Sequence, residues 1–146
     1  MDQIRPWLFI GSYRDTRNLA HLQFRSIKAM LQLAEKVEQP EIISLYLAVE
    51  DLAPISGKHI REGLDFIKEH KSKGNRVLVA CGAGINRSSA FSAAILKEEE
   101  GLTLLEAFKE VKRLHPESMP HQPVWESLCN YYNEFTPYLE VMRIRI

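Results

Sequence analysis

Short apolar segments bounded by turn residues recur along the chain and predict strands. Residues 7–10, Trp-Leu-Phe-Ile, end at a glycine and predict a first short strand. Segments 26–31 and 41–47 are rich in apolar and β-prone residues, and a polar stretch with a proline separates them, so we expect two neighbouring strands. Residues 76–80 contain a continuous apolar run, which is typical of a strand buried on both faces of a sheet.

Other segments place apolar residues at helical spacing. The segment 56–74 puts three apolar residues on one face, begins at a serine that can cap a helix, and ends in a glycine. At 103–106, Thr-Leu-Leu-Glu is a capping box, and the helix it opens should stop before a His-Pro pair. The predicted helices are 16–24, 56–74, 87–100, 103–115 and a last helix that begins near Pro123.

Helices that alternate with buried strands indicate an α/β fold with three layers, α/β/α, around a central, mostly parallel sheet of about four to five strands. Residues 1–146 contain no repeat, low-complexity stretch or Pro/Ser-rich linker, so we expect a single domain. In such sheets ligands bind beyond the carboxyl ends of the strands. Residues 140–146 alternate in part, and an edge strand, a contact between copies and a frayed tail remain alternatives.

The composition indicates the setting in which this chain works. It has 146 residues, 45% of them hydrophobic and 26% charged, and a formal net charge of zero, which gives no indication of a nucleic-acid or membrane partner. We find no membrane-length apolar run and no signal-peptide pattern, and therefore expect a cytoplasmic protein, most simply a monomer. The only cysteines, Cys81 and Cys129, are too few for a disulfide framework, so a free thiol is available for chemistry.

Cys81 stands where the predicted strand 76–80 gives way to a helix. The dipole and free N–H groups of a helix N-terminus favour a thiolate, which is the nucleophilic form of cysteine. Five residues separate Cys81 from Arg87, and Gly82 and Gly84 tolerate unusual dihedral angles. A loop this short can turn its backbone N–H groups toward one point and so form an anion-binding nest.

The same loop supplies two further groups. Arg87 carries a planar guanidinium that can hold two oxygens of a phosphate, and the hydroxyl of Ser88 can donate to the sulfur and ease its departure. The alternative is a buried small cysteine followed by an ordinary turn. The predicted phosphate-binding residues are Gly82, Ala83, Gly84, Ile85, Asn86 and Arg87.

The segment 77–89, Val-Leu-Val-Ala-Cys-Gly-Ala-Gly-Ile-Asn-Arg-Ser-Ser, resembles the signature of the dual-specificity branch of the protein tyrosine phosphatase superfamily. That signature is a cysteine, five residues, an arginine, and then serine or threonine. The resemblance continues at 7–12, 49–51, 66–67 and 105–108, so it extends over nearly the whole chain. It implies hydrolysis of phosphomonoesters through a phosphocysteine intermediate, with Cys81 as nucleophile and without a metal or cofactor.

The resemblance also implies a catalytic aspartate on a mobile loop about 30 residues before the cysteine, and Asp51 stands 30 positions before Cys81. An alkoxide or phenoxide leaves poorly unless it is protonated, so an acid must reach the bridging oxygen and afterwards deprotonate water. Asp51 is therefore the expected general acid and base, with Glu50 as the substitute. The alternative is that Asp51 is only a turn residue ahead of Pro54.

One position departs from the pattern: the family usually has a histidine before the cysteine, and this chain has Ala80. Members with the histidine use its hydrogen bonds to hold the loop, and here the helix terminus, the loop amides and Arg87 remain to stabilise the anion. The five histidines, at 21, 59, 70, 115 and 121, show no metal-site spacing and are expected to be solvated or to cap helices. The alternative for His121, near the turn with Pro120 and Pro123, is a place at the border of the pocket.

Two further groups of residues have simple interpretations. Cys129 is expected to be a packing residue in the last helix rather than a redox partner of Cys81. Lys109, Lys112 and Arg113 form a basic helix face that is usually solvated, and the loop 82–86 contains no basic residue, which disfavours a phosphoinositide substrate.

The sequence thus predicts a protein phosphatase that acts on phosphotyrosine and on phosphoserine or phosphothreonine, because a chain of 146 residues lacks the added segments that deepen the site in larger relatives. Two alternatives are a phosphatase for a nonprotein phosphate, such as a nucleotide, an RNA 5′ end or a sugar phosphate, and a weakly active domain that binds phosphorylated partners. A third is sulfur transfer of the rhodanese type.

Overall fold

The computed structural model describes residues 1–145 and contains a sheet of five strands in the spatial order β1-β2-β5-β3-β4. The strand β1 pairs antiparallel with β2, whereas the pairs β2–β5, β5–β3 and β3–β4 are parallel. This sheet confirms the predicted mostly parallel arrangement. The strands are β1 (Asp2–Arg5), β2 (Leu8–Ser12), β3 (Ile27–Gln32), β4 (Ile43–Tyr46) and β5 (Arg76–Cys81).

Seven helices complete the described part of the chain, and none of them is long and apolar enough to cross a membrane. The capping predictions are confirmed: the side chain of Ser56 accepts a hydrogen bond from the amide of His59, and Thr103 and Glu106 form the capping box. The helices are α1 (Tyr13–Thr16), α2 (Leu19–Phe24), α3 (Gly57–Ser72), α4 (Arg87–Glu100), α5 (Leu104–Leu114), α6 (Gln122–Tyr132) and α7 (Tyr138–Met142).

Three predictions about the elements need correction. The helix expected over 16–24 covers only 19–24, as α2, and Thr16 ends the separate short helix α1, because Asn18 leaves the helical conformation and caps α2 with its side chain. The antiparallel β1 was missed, since its sequence is polar and only Ile4 is buried. Residues 140–142 belong to the helix α7, so the edge-strand interpretation is wrong there, and Ile146 lies outside the described residues.

The two faces of the sheet carry unequal layers, which confirms the α/β/α class. The larger core lies between the sheet and α3, α4, α5 and α6, and contains Phe91, Phe108 and Trp125. The smaller core, on the other face, is covered by α2 through Leu22. Successive residues of a strand point to opposite faces. Within β5, Val79 and Cys81 therefore face the larger core, whereas Leu78 and Ala80 face the smaller one.

A charged cluster ties three helices of the larger layer together. Glu98 of α4 is bound by Arg61 and Lys68 of α3 and by the hydroxyl of Tyr132 of α6. Burial disfavours the ionised carboxyl, but these hydrogen bonds outweigh burial and hold the pKa of Glu98 at about 2. The cluster helps to fix α4, whose first turn carries Arg87 and Ser88.

Candidate active site

The site lies at the carboxyl end of the central strand β5, where residues 82–87, the phosphate loop, lead into α4. The conformation of this loop depends on Gly84, whose φ of +75° is unfavourable for other residues. A Cβ atom at Gly84 would also lie 2.8 Å from the carbonyl oxygen of Gly11 in β2. The loop therefore packs directly on the neighbouring strand, and a side chain at position 84 would displace it.

Cys81 and Ser88 meet beneath this loop. The sulfur of Cys81 lies 3.1 Å from the hydroxyl oxygen of Ser88, and both residues are buried. A hydroxyl at this distance can donate to a thiolate, and the N-terminus of α4 adds a favourable field. The predicted pairing of these two side chains is thus present in the geometry.

Arg87 enters the site from the first turn of α4 and is buried. Its Nη1 donates to two backbone carbonyl oxygens, of Leu33 at 3.0 Å and of Val49 at 2.8 Å. These bonds fix the plane of the guanidinium and join it to the chain just after β3 and just before Asp51. An arginine held in this way is oriented before any anion arrives.

Asp51 lies on an exposed loop, residues 50–54, here called the acid loop. Its Oδ1 is 3.3 Å from Nε of Arg87, close enough for an ion pair but not aligned as a hydrogen bond, and 2.8 Å from Nδ2 of Asn86. The side chain of Asp51 remains 53% exposed. Separated by 30 positions in sequence, Asp51 and Cys81 are brought to the same site.

A small cavity of about 110 Å³ lies between the acid loop and the phosphate loop. Its lining residues are Asp51, Cys81, Ala83, Ile85, Asn86 and His121, so His121 borders the pocket rather than being simply solvated. Nδ1 of His121 is buried and has no hydrogen-bond partner within residues 1–145. Glu50 is exposed and does not line the cavity, which favours Asp51 over it.

His115 is a site residue that sequence reasoning missed, because it was expected to be solvated or to cap a helix. It is 4% exposed; its Nε2 lies 2.7 Å from the carbonyl oxygen of Gly84, and its Nδ1 lies 2.6 Å from Oδ2 of Asp2. A carbonyl oxygen can only accept, so Nε2 of His115 donates to Gly84 and braces the phosphate loop from behind.

The position of His115 bears on Ala80. The side chain of Ala80 points to the smaller core, away from this brace, and packs there with apolar neighbours. In this chain a histidine therefore supports the phosphate loop from the end of α5 rather than from the residue before the cysteine.

Asp2, His115 and Glu117 each bring one possible metal-ligand atom within 4.8 Å of the others. They are the only group of three possible metal ligands found within residues 1–145.

Three side chains outside the cavity settle other predictions. Burial raises the pKa of the Cys129 thiol above its ordinary value, which fits the packing role rather than a reactive one. Lys112 is not simply solvated as expected, because its Nζ donates to the carbonyl oxygens of Pro116 and Ser118. His70 was expected to be solvated or to cap a helix, but it is buried, and burial lowers its pKa.

Comparison with known protein families and sequences supports the family that the sequence resembles. The family model described as the catalytic domain of dual specificity phosphatases matches residues 8–134. Human dual specificity protein phosphatase 5 is 31% identical over 140 residues, which are 92% of this chain and 36% of that protein. This chain therefore spans about a third of the length of that relative.

Solved structures agree with the sequence matches. The crystal structure of human DUSP28 superposes with a TM-score of 0.84 at 25% identity and covers 91% of this chain and 96% of its own. The human tyrosine phosphatase-like serine/threonine/tyrosine-interacting protein superposes with a TM-score of 0.83 at 26% identity and covers 91% of this chain and 95% of its own.

Proposed function

The chain belongs to the dual-specificity phosphatase family, and from that membership we propose that it hydrolyses phosphomonoesters of proteins through a phosphocysteine intermediate. We propose Cys81 as nucleophile, Asp51 as general acid and base, Ser88 as the partner of the thiolate, and Arg87 with the amides of residues 82–87 as the phosphate cradle. Family membership favours this phosphate chemistry over sulfur transfer.

One observation carries the assignment of roles. Asp51 lines the same small cavity as the sulfur of Cys81, and its carboxylate lies beside the guanidinium of Arg87. A buried cysteine in an ordinary turn would need no arginine fixed by two carbonyls and no carboxylate above it. Nucleophile, cradle and acid thus meet around a space that can receive one phosphate group.

In the first half-reaction the thiolate of Cys81 attacks phosphorus, and the bond from phosphorus to the bridging oxygen breaks. The electron pair goes to the leaving oxygen, which takes the proton of Asp51. The products are a phosphocysteine and a free alcohol or phenol. The loop amides and Arg87 stabilise the charge on the equatorial oxygens.

In the second half-reaction Asp51, now ionised, accepts a proton from water, and the water oxygen attacks phosphorus. The bond from phosphorus to sulfur breaks, and its electron pair returns to Cys81. The hydroxyl of Ser88, 3.1 Å away, donates to the departing thiolate and lowers the barrier to its release. Inorganic phosphate leaves the cradle.

The dimensions of the cavity support a broad protein substrate class. The cavity holds about 110 Å³, and its lining residues Ala83 and Asp51 are exposed. A shallow site admits the short phosphoserine and phosphothreonine as well as phosphotyrosine. The loop 82–86 has no lysine or arginine for an additional anionic headgroup. We therefore propose phosphotyrosine together with phosphoserine or phosphothreonine.

A second candidate is a domain that binds phosphorylated partners with little turnover. It is favoured by Ala80 in the position of the usual histidine, and by the similarity to a solved structure whose name describes a phosphatase-like interacting protein. The brace from His115 to Gly84 supports turnover instead, since it holds the cradle without a histidine at position 80. A small nonprotein phosphate as substrate is the third candidate.

The broader setting is proposed as well. We propose that residues 1–146 act as one catalytic domain, that the protein is monomeric, and that it works in the cytoplasm with a phosphorylated protein as its partner. Size-exclusion chromatography with light scattering tests the monomer, and imaging of the tagged protein in cells tests the location.

The deciding experiment follows hydrolysis of p-nitrophenyl phosphate with EDTA present, by the native protein and by Cys81→Ser. We expect turnover by the native protein alone, while both bind inorganic phosphate in calorimetry. Binding by both without any turnover would favour the phospho-binding domain. If nucleotides or sugar phosphates were hydrolysed far faster than phosphopeptides, the nonprotein substrate would replace the protein one.

A further inference from the structure

The side chain of Asn86 has hydrogen-bond partners other than those expected from its position before a helix. It is the N-cap residue of α4, where an asparagine side chain usually accepts a hydrogen bond from an amide of the first turn. Here the side chain makes no such bond. It is nevertheless buried, with 4% of its surface exposed. A buried amide group requires partners, so its partners must lie elsewhere.

The side chain of Asn86 joins three separate segments. Its Nδ2 donates to Oδ1 of Asp51 at 2.8 Å and to the backbone oxygen of the same residue, and its Oδ1 accepts from the amide of His121 at 2.6 Å. All three of these hydrogen bonds are directed to the acid loop and to the start of α6. The phosphate loop thereby holds the acid loop directly.

The acid loop has few other attachments. On its two sides, the carbonyl of Val49 accepts from Arg87 and the amide of Ile55 donates to Ser127. Between these anchors, residues 50, 51, 52 and 54 are exposed. Within residues 1–145, the hydrogen bonds that reach 50–54 from other parts of the chain all come from Asn86. The remaining polar contact is the ion pair of Asp51 with Nε of Arg87.

We propose that Asn86 is a positioning residue that holds the acid loop closed and keeps the carboxyl group of Asp51 above the phosphate cradle. This inference rests on the proposed function of Asp51 as general acid. Because Asn86 itself belongs to the phosphate loop, the acid is placed relative to the bound phosphate rather than relative to a distant part of the fold. The loop is closed before substrate arrives, so less ordering remains for the binding step.

Two variants of Asn86 separate this role from a general effect on the cradle. Asn86→Asp keeps the shape and the acceptor for His121, but turns an oxygen toward the carboxylate of Asp51 where the native amide donates. Asn86→Ala removes all three bonds without adding charge. The matched control is Asn18→Asp, the same change at the N-cap of α2, where the side chain accepts from the amide of His21.

The experiment measures kcat and KM for a series of aryl phosphates with leaving groups of increasing pKa. For both Asn86 variants we expect kcat for the poorest leaving group to fall about tenfold further than for the best one, because protonation matters most there. Binding of inorganic phosphate to Asn86→Ala should stay within about twofold, since the cradle amides and Arg87 are untouched, whereas the added carboxylate of Asn86→Asp should weaken it. Asn18→Asp should match the native protein throughout.

A second readout follows hydrogen exchange of the amides at 50–53. We expect exchange to quicken about tenfold in both Asn86 variants and to stay unchanged in Asn18→Asp. In Asn86→Ala, an equal loss of rate for all leaving groups, with weaker phosphate binding and native exchange at 50–53, would overturn the proposal and assign Asn86 to the cradle. If the native protein hydrolysed no phosphomonoester, the function proposed for the site would fail, while exchange at 50–53 would still decide whether Asn86 holds the loop.

Discussion

The phosphate loop and the acid loop lie against each other but are built in opposite ways. The phosphate loop is continuous with β5 and α4, packs on Gly11, and is braced by His115. The acid loop is exposed and is held by the hydrogen bonds of Asn86 and the ion pair of Asp51 with Arg87. The first is fixed by many contacts, whereas the second depends on few.

This difference corresponds to the tasks proposed for them. A cradle stabilises charge best when its donors do not have to reorganise, so rigidity serves it. An acid has to reach the leaving group, give up its proton, and then admit water, so a loop with few attachments serves that task. Changes in the phosphate loop should therefore affect every substrate alike, whereas changes in the acid loop should depend on the leaving group.

The largest effect is expected from Arg87 in the phosphate loop. Arg87→Ala removes the fork that would hold phosphate and leaves the carbonyls of Leu33 and Val49 without their donor. We expect kcat/KM to fall by at least about 10³-fold and phosphate binding to be lost. Arg87→Lys keeps the charge but not the fork, and should lose about 10²-fold. Steady-state kinetics and calorimetry check this, with circular dichroism to verify folding.

A smaller and selective effect is expected from Asp51. The amide of Asp51→Asn still offers an oxygen to Asn86 but has no proton suited to the leaving group. We expect kcat to fall about 10²-fold for the poorest leaving groups and much less for p-nitrophenyl phosphate. The slope of log kcat against leaving-group pKa measures the effect. An unchanged slope would remove Asp51 from the mechanism.

The smallest effect on rate is expected from His115, which acts through Gly84. His115→Ala leaves a buried carbonyl without its donor, which should lower the free energy of unfolding by about 1–3 kcal/mol. We expect a modest loss of kcat/KM that is equal for all leaving groups, because the cradle and not the acid is disturbed. Thermal unfolding and the aryl phosphate series measure both quantities, with His59→Ala as the control. A loss confined to poor leaving groups would contradict the division between the two loops.

The phosphate loop could be predicted from the sequence because its functional residues are close together in the chain. Cys81, Arg87 and Ser88 lie within eight residues, and the alternation of strand and helix places them at the end of the central strand. Asp51 was found through its spacing in the family pattern and not through its own surroundings, since an acidic residue ahead of a proline also fits a plain turn.

The contacts that hold the two loops in place could not be predicted from the sequence. The partners of His115 are Asp2 and Gly84, which lie 113 and 31 positions away, and the polar strand β1 that carries Asp2 gave no apolar pattern. The role of Asn86 could not be predicted for another reason. An asparagine just before a helix is expected to cap that helix, and only the folded structure shows that its side chain bonds to distant parts of the chain instead.

The hydrogen bond between His115 and Asp2 has a further consequence for the tolerance of the fold to change. Strand β1 is short, polar and on the edge of the sheet, features that keep edge strands from pairing with other chains. In this protein the edge strand holds the acceptor for an imidazole that reaches the back of the catalytic loop. Substitution of Asp2 should therefore disturb the phosphate loop through His115, although Asp2 does not line the cavity.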